Sequence, residues 1–191
     1  MTNNNYFDWL MTRSLKALIY RNFFLYPRLK KTICFPAADI GCGIGDFLKF
    51  CGNKIIGYDI NKKCIHYCKS KNLNAILMKT NQIPASNSHF NSVILDNVLE
   101  HIYDPIPLLN ECNRVLDNKG KLLIGIPGEK GFSKDIDHKV NYSNKDLIRL
   151  IEGVGFKLEE NFYTPFKSEF LNRNLSLYCR FFVFYKIKKT Y

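Results

Sequence analysis

No apolar run in this chain approaches the ~18 residues that a membrane-spanning helix needs. The longest, SVIL and KLLIGI, are strand-sized. The first residues, MTNNNYFDWLMTRS, have no basic stretch leading into an apolar one, so no secretory leader is expected. Internal repeats, low-complexity tracts and linkers are absent too, and 191 residues suit a single domain with a real core. Seven cysteines are present, but none at zinc-finger spacing: Cys64 and Cys68 stand one helical turn apart without a second pair or a histidine partner. An odd, scattered set reads as reduced thiols of a cytoplasmic protein, and no metal is expected. Acidic residues are scarce, 17 against 28 lysines and arginines, for a net charge of +11. That excess favours acidic partners such as nucleic acid, anionic lipid or a phosphate-bearing small molecule. Lysine spread over free surface positions accounts for it as well. Only RLKK (28–31) and KIKK (186–189) form clusters, so no basic stripe marks a nucleic-acid interface.

What is present alternates. Trp9, Leu10, Leu15, Leu18, Ile19, Phe23 and Phe24 recur at three- and four-residue steps, which predicts one or two amphipathic helices over residues 6–31, ended by Pro27. Such a segment either covers the core and active site or lies on a membrane surface. Strands are predicted at 37–40, 54–59, 74–78, 91–96 and 120–127. Helices are predicted from about Asp46, over 61–71 with Asn61 as its cap, over Ile106–Leu116, and from Ser143, where Ser143 and Asp146 resemble a capping box. GFKLEENFY and LSLYCRFFVFYKI close the chain as two more strands. The pattern predicts a Rossmann-like α/β three-layer sandwich: a mostly parallel seven-stranded sheet with an antiparallel C-terminal strand at its edge. Residues 1–35 form a helical cap segment and 36–191 the single domain.

In such sheets ligands bind beyond the carboxyl ends of the strands, and the first strand-to-helix turn here reads ADIGCGIGDF (38–47). Three glycines in five positions suggest a close approach to the backbone, because glycine elsewhere costs about 0.5–1 kcal/mol against alanine. The spacing is G-x-G-x-G, not the G-x-G-x-x-G of nicotinamide cofactors. Asp39 sits two residues ahead of Gly41, where a carboxylate opposes a diphosphate and suits a cationic, amino-bearing ligand. Asp59, twenty residues on at the end of the second strand, has two oxygens to accept from ribose hydroxyls. A capping or turn aspartate is the alternative reading of Asp59.

ADIGCGIGDF, IIGYDI and NSVILDNVLEHIYDPIPLLNECNRVLDNKGKLLIGIP resemble the class I S-adenosylmethionine-dependent methyltransferases, and within them the type-11-like branch associated with small molecules and glycans. The resemblance runs from about residue 36 to 156. It implies that Asp39, Gly41, Gly43 and Gly45 surround the methionine portion of S-adenosylmethionine. Asp59 would hold the ribose, Ile60 pack on adenine, and Asp96 and Asn97 lie near the methionine portion and the sulfonium. After the third strand the family often places an aspartate that bonds the adenine amino group. This chain has Lys79 there, followed by Thr80 and Asn81, which leaves Asn81 to make that contact.

The acceptor is less legible. Methyltransferases acting on exocyclic amines of nucleic-acid bases commonly carry Asn/Asp-Pro-Pro-Tyr/Phe after the fourth strand, and DNVLEH stands there instead. A small-molecule or glycan-precursor acceptor, on an anionic or lipid carrier and methylated on oxygen, is the expected substrate. An alcohol needs a base. His138, in the polar stretch 128–143 after the fifth strand, is the candidate, with a structural histidine as the alternative. His101 is read as a packing residue, and Glu100 is given no catalytic role. An RNA- or protein-directed methyltransferase and a non-catalytic S-adenosylmethionine-binding module are the competing functions. Peripheral contact with an anionic membrane is the partner expectation.

Overall fold

AADI becomes β1 (Ala37–Ile40), buried along its whole length, and everything else is arranged about it. The computed structural model describes all residues except 1, 2, 53, 169, 171–174, 176, 177 and 188–191. On one side of β1 lie β2 (Ile55–Asp59) and β3 (Ala75–Leu77). On the other lie β4 (Phe90–Asp96), β5 (Leu116–Pro127), β7 (Cys179–Lys186) and β6 (Phe156–Thr164). The order is β3-β2-β1-β4-β5-β7-β6, and only β7 runs antiparallel to its neighbours. This is the expected seven-stranded, Rossmann-like sheet with helices on both faces.

One expectation is corrected: the antiparallel strand is not the edge. β7 is inserted between β5 and β6, and β6 takes the edge. The reason is in the side chains. Phe181, Phe182, Val183 and Phe184 are all fully buried, so β7 is apolar on both faces and belongs inside a covered sheet. β6 carries Lys157, Glu159 and Glu160, charges that suit an edge strand. Two apolar clusters flank the sheet, one including Val93, Leu122 and Phe182, the other Ile94, Leu123 and Phe181.

Helices α4 (Asp46–Cys51), α5 (Lys62–Ser70), α6 (Ile106–Val115) and α8 (Asn144–Gly153) connect the strands. The sequence caps act as read: Asn61 accepts from the Lys63 and Cys64 amides, and Ser143 from the Asp146 amide. The stretch after β5 is not all loop, since Glu129–Phe132 makes one helical turn, α7.

The N-terminal segment forms α1 (Asn3–Met11), α2 (Leu15–Tyr20), a π-helical stretch Arg21–Leu25, and α3 (Tyr26–Thr32). Pro27 therefore does not end the helix; it sits in the first turn of α3, where its missing N–H costs least. The segment caps the sheet through buried Leu10, Leu25, Tyr26 and Leu29, with Phe7 against Tyr67 of α5. Among the described residues no helix is long and apolar enough to cross a membrane. All seven cysteines are free.

Candidate active site

The strand order reverses between β1 and β4, and at their carboxyl ends opens a cavity of about 580 Å³. That volume lies in the usual range for small-ligand sites. β1 and the turn after it contribute Asp39, Gly41, Cys42 and Gly43; the end of β4 contributes Asp96 and Asn97. The cap adds Tyr6, Trp9, Arg13 and Arg21, and the region before α8 adds Asp135 and His138.

Gly41, Gly43 and Gly45 all have positive φ, at 76°, 53° and 77°. A side chain at Gly41 would also meet Val98 Cγ2 at 2.7 Å. The turn thus requires glycine, and it places backbone against the cavity. Asp59 is buried, and its carboxylate accepts from the Gly43 and Asn61 amides, each at 2.8 Å, tying the glycine turn to the end of β2. Asp59 is thus a turn aspartate, which the Ile60 amide also reaches. Gly45, Asp59, Ile60 and Asn81 do not line the cavity. Ile60 is half exposed, and Asn81 occupies a tight turn between Lys79 and Gln82. Asn97 donates to Asp96 Oδ1 at 2.8 Å.

Three acids shape the electrostatics, Asp39 and Asp59 buried and Asp96 partly so. Burial pushes the Asp39 carboxyl well above the usual range, and the neighbouring Asp96 and Asp59 charges push it further. Burial raises Asp96 and Asp59 as well. The cap answers with cations: Arg21 lies 3.6 Å from Asp96, and Arg13 pairs with Asp46. Sequence reasoning missed both arginines, because nothing local ties Arg13, between α1 and α2, or Arg21, at the start of the π-helical stretch, to acids far along the chain. An acidic cavity beside a glycine turn fits a ligand that carries a sulfonium and an ammonium, so the residues present suit S-adenosylmethionine.

His138 faces the same cavity. Its Nδ1 lies 2.7 Å from the Phe132 carbonyl oxygen and its ring stacks on the Phe132 ring. A carbonyl only accepts, so Nδ1 carries the proton and Nε2 presents a lone pair. Nε2 is 3.8 Å from both Glu100 Oε1 and Asp135 Oδ2. His101, whose ring centre is 4.7 Å from that of His138, also lines the cavity, with its Nδ1 3.3 Å from the Asp137 carbonyl. Burial, then the adjacent His138, lowers the His101 pKa. Glu100 is 1% exposed, and neither carboxylate oxygen has a hydrogen-bond partner. Burial pushes its carboxyl up to about 8.

The fold is the Rossmann-like fold of class I methyltransferases, and the residues of the cavity suit S-adenosylmethionine. Residues 38–124, from β1 into β5, match the model of the methyltransferase domain family. S-adenosylmethionine is the cofactor of this domain. An uncharacterized protein of Methanocaldococcus jannaschii is 29% identical over 140 residues, 68% of each chain. A "Probable S-adenosylmethionine-dependent methyltransferase" of Mycolicibacterium smegmatis is 25% identical over 64% of this chain and 52% of its own length. The chain thus spans about half of that relative. Among solved structures, S-adenosylmethionine-dependent methyltransferases of Archaeoglobus fulgidus and Aquifex aeolicus share the fold. The first has a TM-score of 0.68 at 21% identity, covering 85% of this chain and 93% of its own. The second has 0.70 at 16% identity, covering 98% and 100%.

Proposed function

We propose that this protein methylates an oxygen of a small-molecule or glycan-precursor acceptor, with His138 as the base. S-adenosylmethionine, when bound, supplies an electrophilic methyl group on a sulfonium. Asp39, Asp96 and Asn97 hold its methionine portion against the glycine turn. Asp59, Ile60 and Asn81, outside the lining of the cavity, serve the nucleoside where it extends past the carboxyl ends of β2 and β3. Aligning the acceptor oxygen with that methyl is the protein's main task, and alignment supplies several kcal/mol of such barriers.

The observation that carries the reading is the 2.7 Å contact between His138 Nδ1 and the Phe132 carbonyl oxygen. Phe132 holds the proton on Nδ1, which leaves the Nε2 lone pair in the same cavity as Asp39, Gly41 and Asp96. His138 Nε2 would take the proton that the acceptor hydroxyl gives up, and the bound cofactor would supply the methyl group as its carbon–sulfur bond breaks. The acceptor's carrier is anionic or lipid, a reading supported by the net charge of +11 and by Leu15, Phe23 and Phe24 exposed on the cap.

The test uses the full chain, S-adenosylmethionine labelled on its methyl group, and cell extract fractionated by class. Label is expected in a base-stable, ether-type product. His138→Ala should cut transfer roughly a hundredfold or more while calorimetry shows unchanged cofactor affinity. Full turnover in that variant would remove His138 as the base, and label on nitrogen or in RNA would replace the acceptor assignment.

A further inference from the structure

Glu100, His101 and His138 form a second arrangement within the site, one that base catalysis leaves unexplained. Each offers a ligand atom, and the three atoms lie within 4.8 Å of one another. Glu100 is the unusual member. A carboxylate that is 1% exposed and lacks any hydrogen-bond partner is costly to keep, and it is aimed at His138 Nε2, 3.8 Å away.

The two histidines are mounted as metal ligands are. A ligating imidazole usually donates its other N–H to a carbonyl or carboxylate, which fixes the ring and turns the free nitrogen toward the metal. Here His138 Nδ1 faces the Phe132 carbonyl and His101 Nδ1 faces the Asp137 carbonyl. Both Nε2 atoms are thereby left to bind. The backbone holds the set together as well, since the Lys139 and Val140 amides donate to the Glu100 carbonyl at 2.7 and 3.1 Å. That pins the His138 segment onto the turn bearing Glu100 and His101. Asp135, its Oδ2 3.8 Å from His138 Nε2, stands ready as a further oxygen donor.

We propose that Glu100, His101 and His138 form a binding site for a borderline divalent cation of the zinc type. Two imidazoles and one carboxylate suit Zn²⁺ or Co²⁺, whereas Mg²⁺ and Ca²⁺ prefer all-oxygen sets. With metal–ligand distances of about 2.0–2.2 Å, the donors need to draw together by roughly an ångström, a movement within side-chain rotation. A cation here takes the same Nε2 lone pair that accepts the acceptor's proton. Cation and proton therefore compete for one atom, and loading the site switches the base off. The site itself stands on the geometry of the three side chains; only this switching rests on the transferase reading.

Calorimetric titration of chelator-treated, dialysed full-length protein with Zn²⁺ tests the site without any acceptor or S-adenosylmethionine. One Zn²⁺ per chain is expected, and Co²⁺ should give ligand-field bands without thiolate charge transfer. Glu100→Gln and His138→Gln should each weaken binding by at least about tenfold, while His89→Gln, at an exposed histidine, leaves it unchanged. Circular dichroism checks folding, and Glu100→Gln is a safe variant because it keeps the size and polarity of the buried side chain. Absence of binding to the wild type, equal affinity in the Glu100 and His138 variants, or a thiolate band would each overturn the site. Zn²⁺ that binds there yet leaves methyl transfer unaffected would keep the site and overturn the competition.

Discussion

Asp39 shows how one residue couples stability to ligand binding. Its folded-state pKa is raised, so the native chain holds that proton more tightly than the unfolded chain does. The contribution is fully present below the ordinary carboxylate range and is lost as pH rises through the folded-state value. Once ionised, the group is therefore a liability to the empty protein and an asset for a cationic ligand. Asp39→Asn should melt a few degrees higher than the wild type near pH 8, roughly what 1 kcal/mol gives a domain of this size. The gap should shrink toward about pH 4, and S-adenosylmethionine should bind more weakly. Thermal unfolding across pH with calorimetry would show both; a variant less stable at pH 8 would contradict the sign.

At the scale of elements, what aims His138 is the way the segment between β5 and α8 is tied down. Arg180 of β7 donates to Asn144 Oδ1 at 2.8 Å, to the Tyr142 carbonyl at 3.0 Å and to the Pro127 carbonyl at 3.2 Å. One guanidinium thus joins β7, the end of β5 and the start of α8. Arg180→Met keeps length and apolar contact while severing all three bonds. Trypsin is expected to cut faster at Lys130, Lys134 and Lys139 in that variant, and methyl transfer should fall on the order of tenfold to a hundredfold as His138 loses its aim. Cleavage at the wild-type rate would show that the segment is held by other contacts.

For the whole molecule, the distribution of charge and apolar surface matters more than any one contact. The net charge of +11 coexists with a cap on which Leu15 and Phe23 are each more than 70% exposed. Basic charge near an apolar surface favours anionic lipid, with roughly 1 kcal/mol per lysine or arginine close to the bilayer. The full chain should sediment with vesicles containing phosphatidylserine, not with phosphatidylcholine alone, and salt should release it. Phe23→Ser with Phe24→Ser should weaken this binding without changing cofactor affinity. Equal partitioning to both vesicle types would remove the membrane from the reading.

Much of this molecule follows from local chemistry, and local chemistry is what a sequence displays. Alternating strand and helix patterns, the caps at Asn61 and Ser143, and the glycine turn beside Asp39 depend on neighbours a few residues away, so fold class and cofactor were legible. Pro27 misled because a proline reads equally as the end of one helix or the first turn of the next. The place of β7 inside the sheet, the arginines of the cap against Asp96 of β4 and Asp46 of α4, and the Phe132 carbonyl beside His138 Nδ1 rest on contacts no spacing rule encodes. The triangle of Glu100, His101 and His138 is of the same kind, closed across α6, β5 and α7. Sequence by itself determined the alternation of strand and helix, the glycine turn and the acid that leads it, because each depends on near neighbours. Tertiary structure alone decided which side chains face it, because burial and long-range packing select one set of neighbours from many that the composition allows.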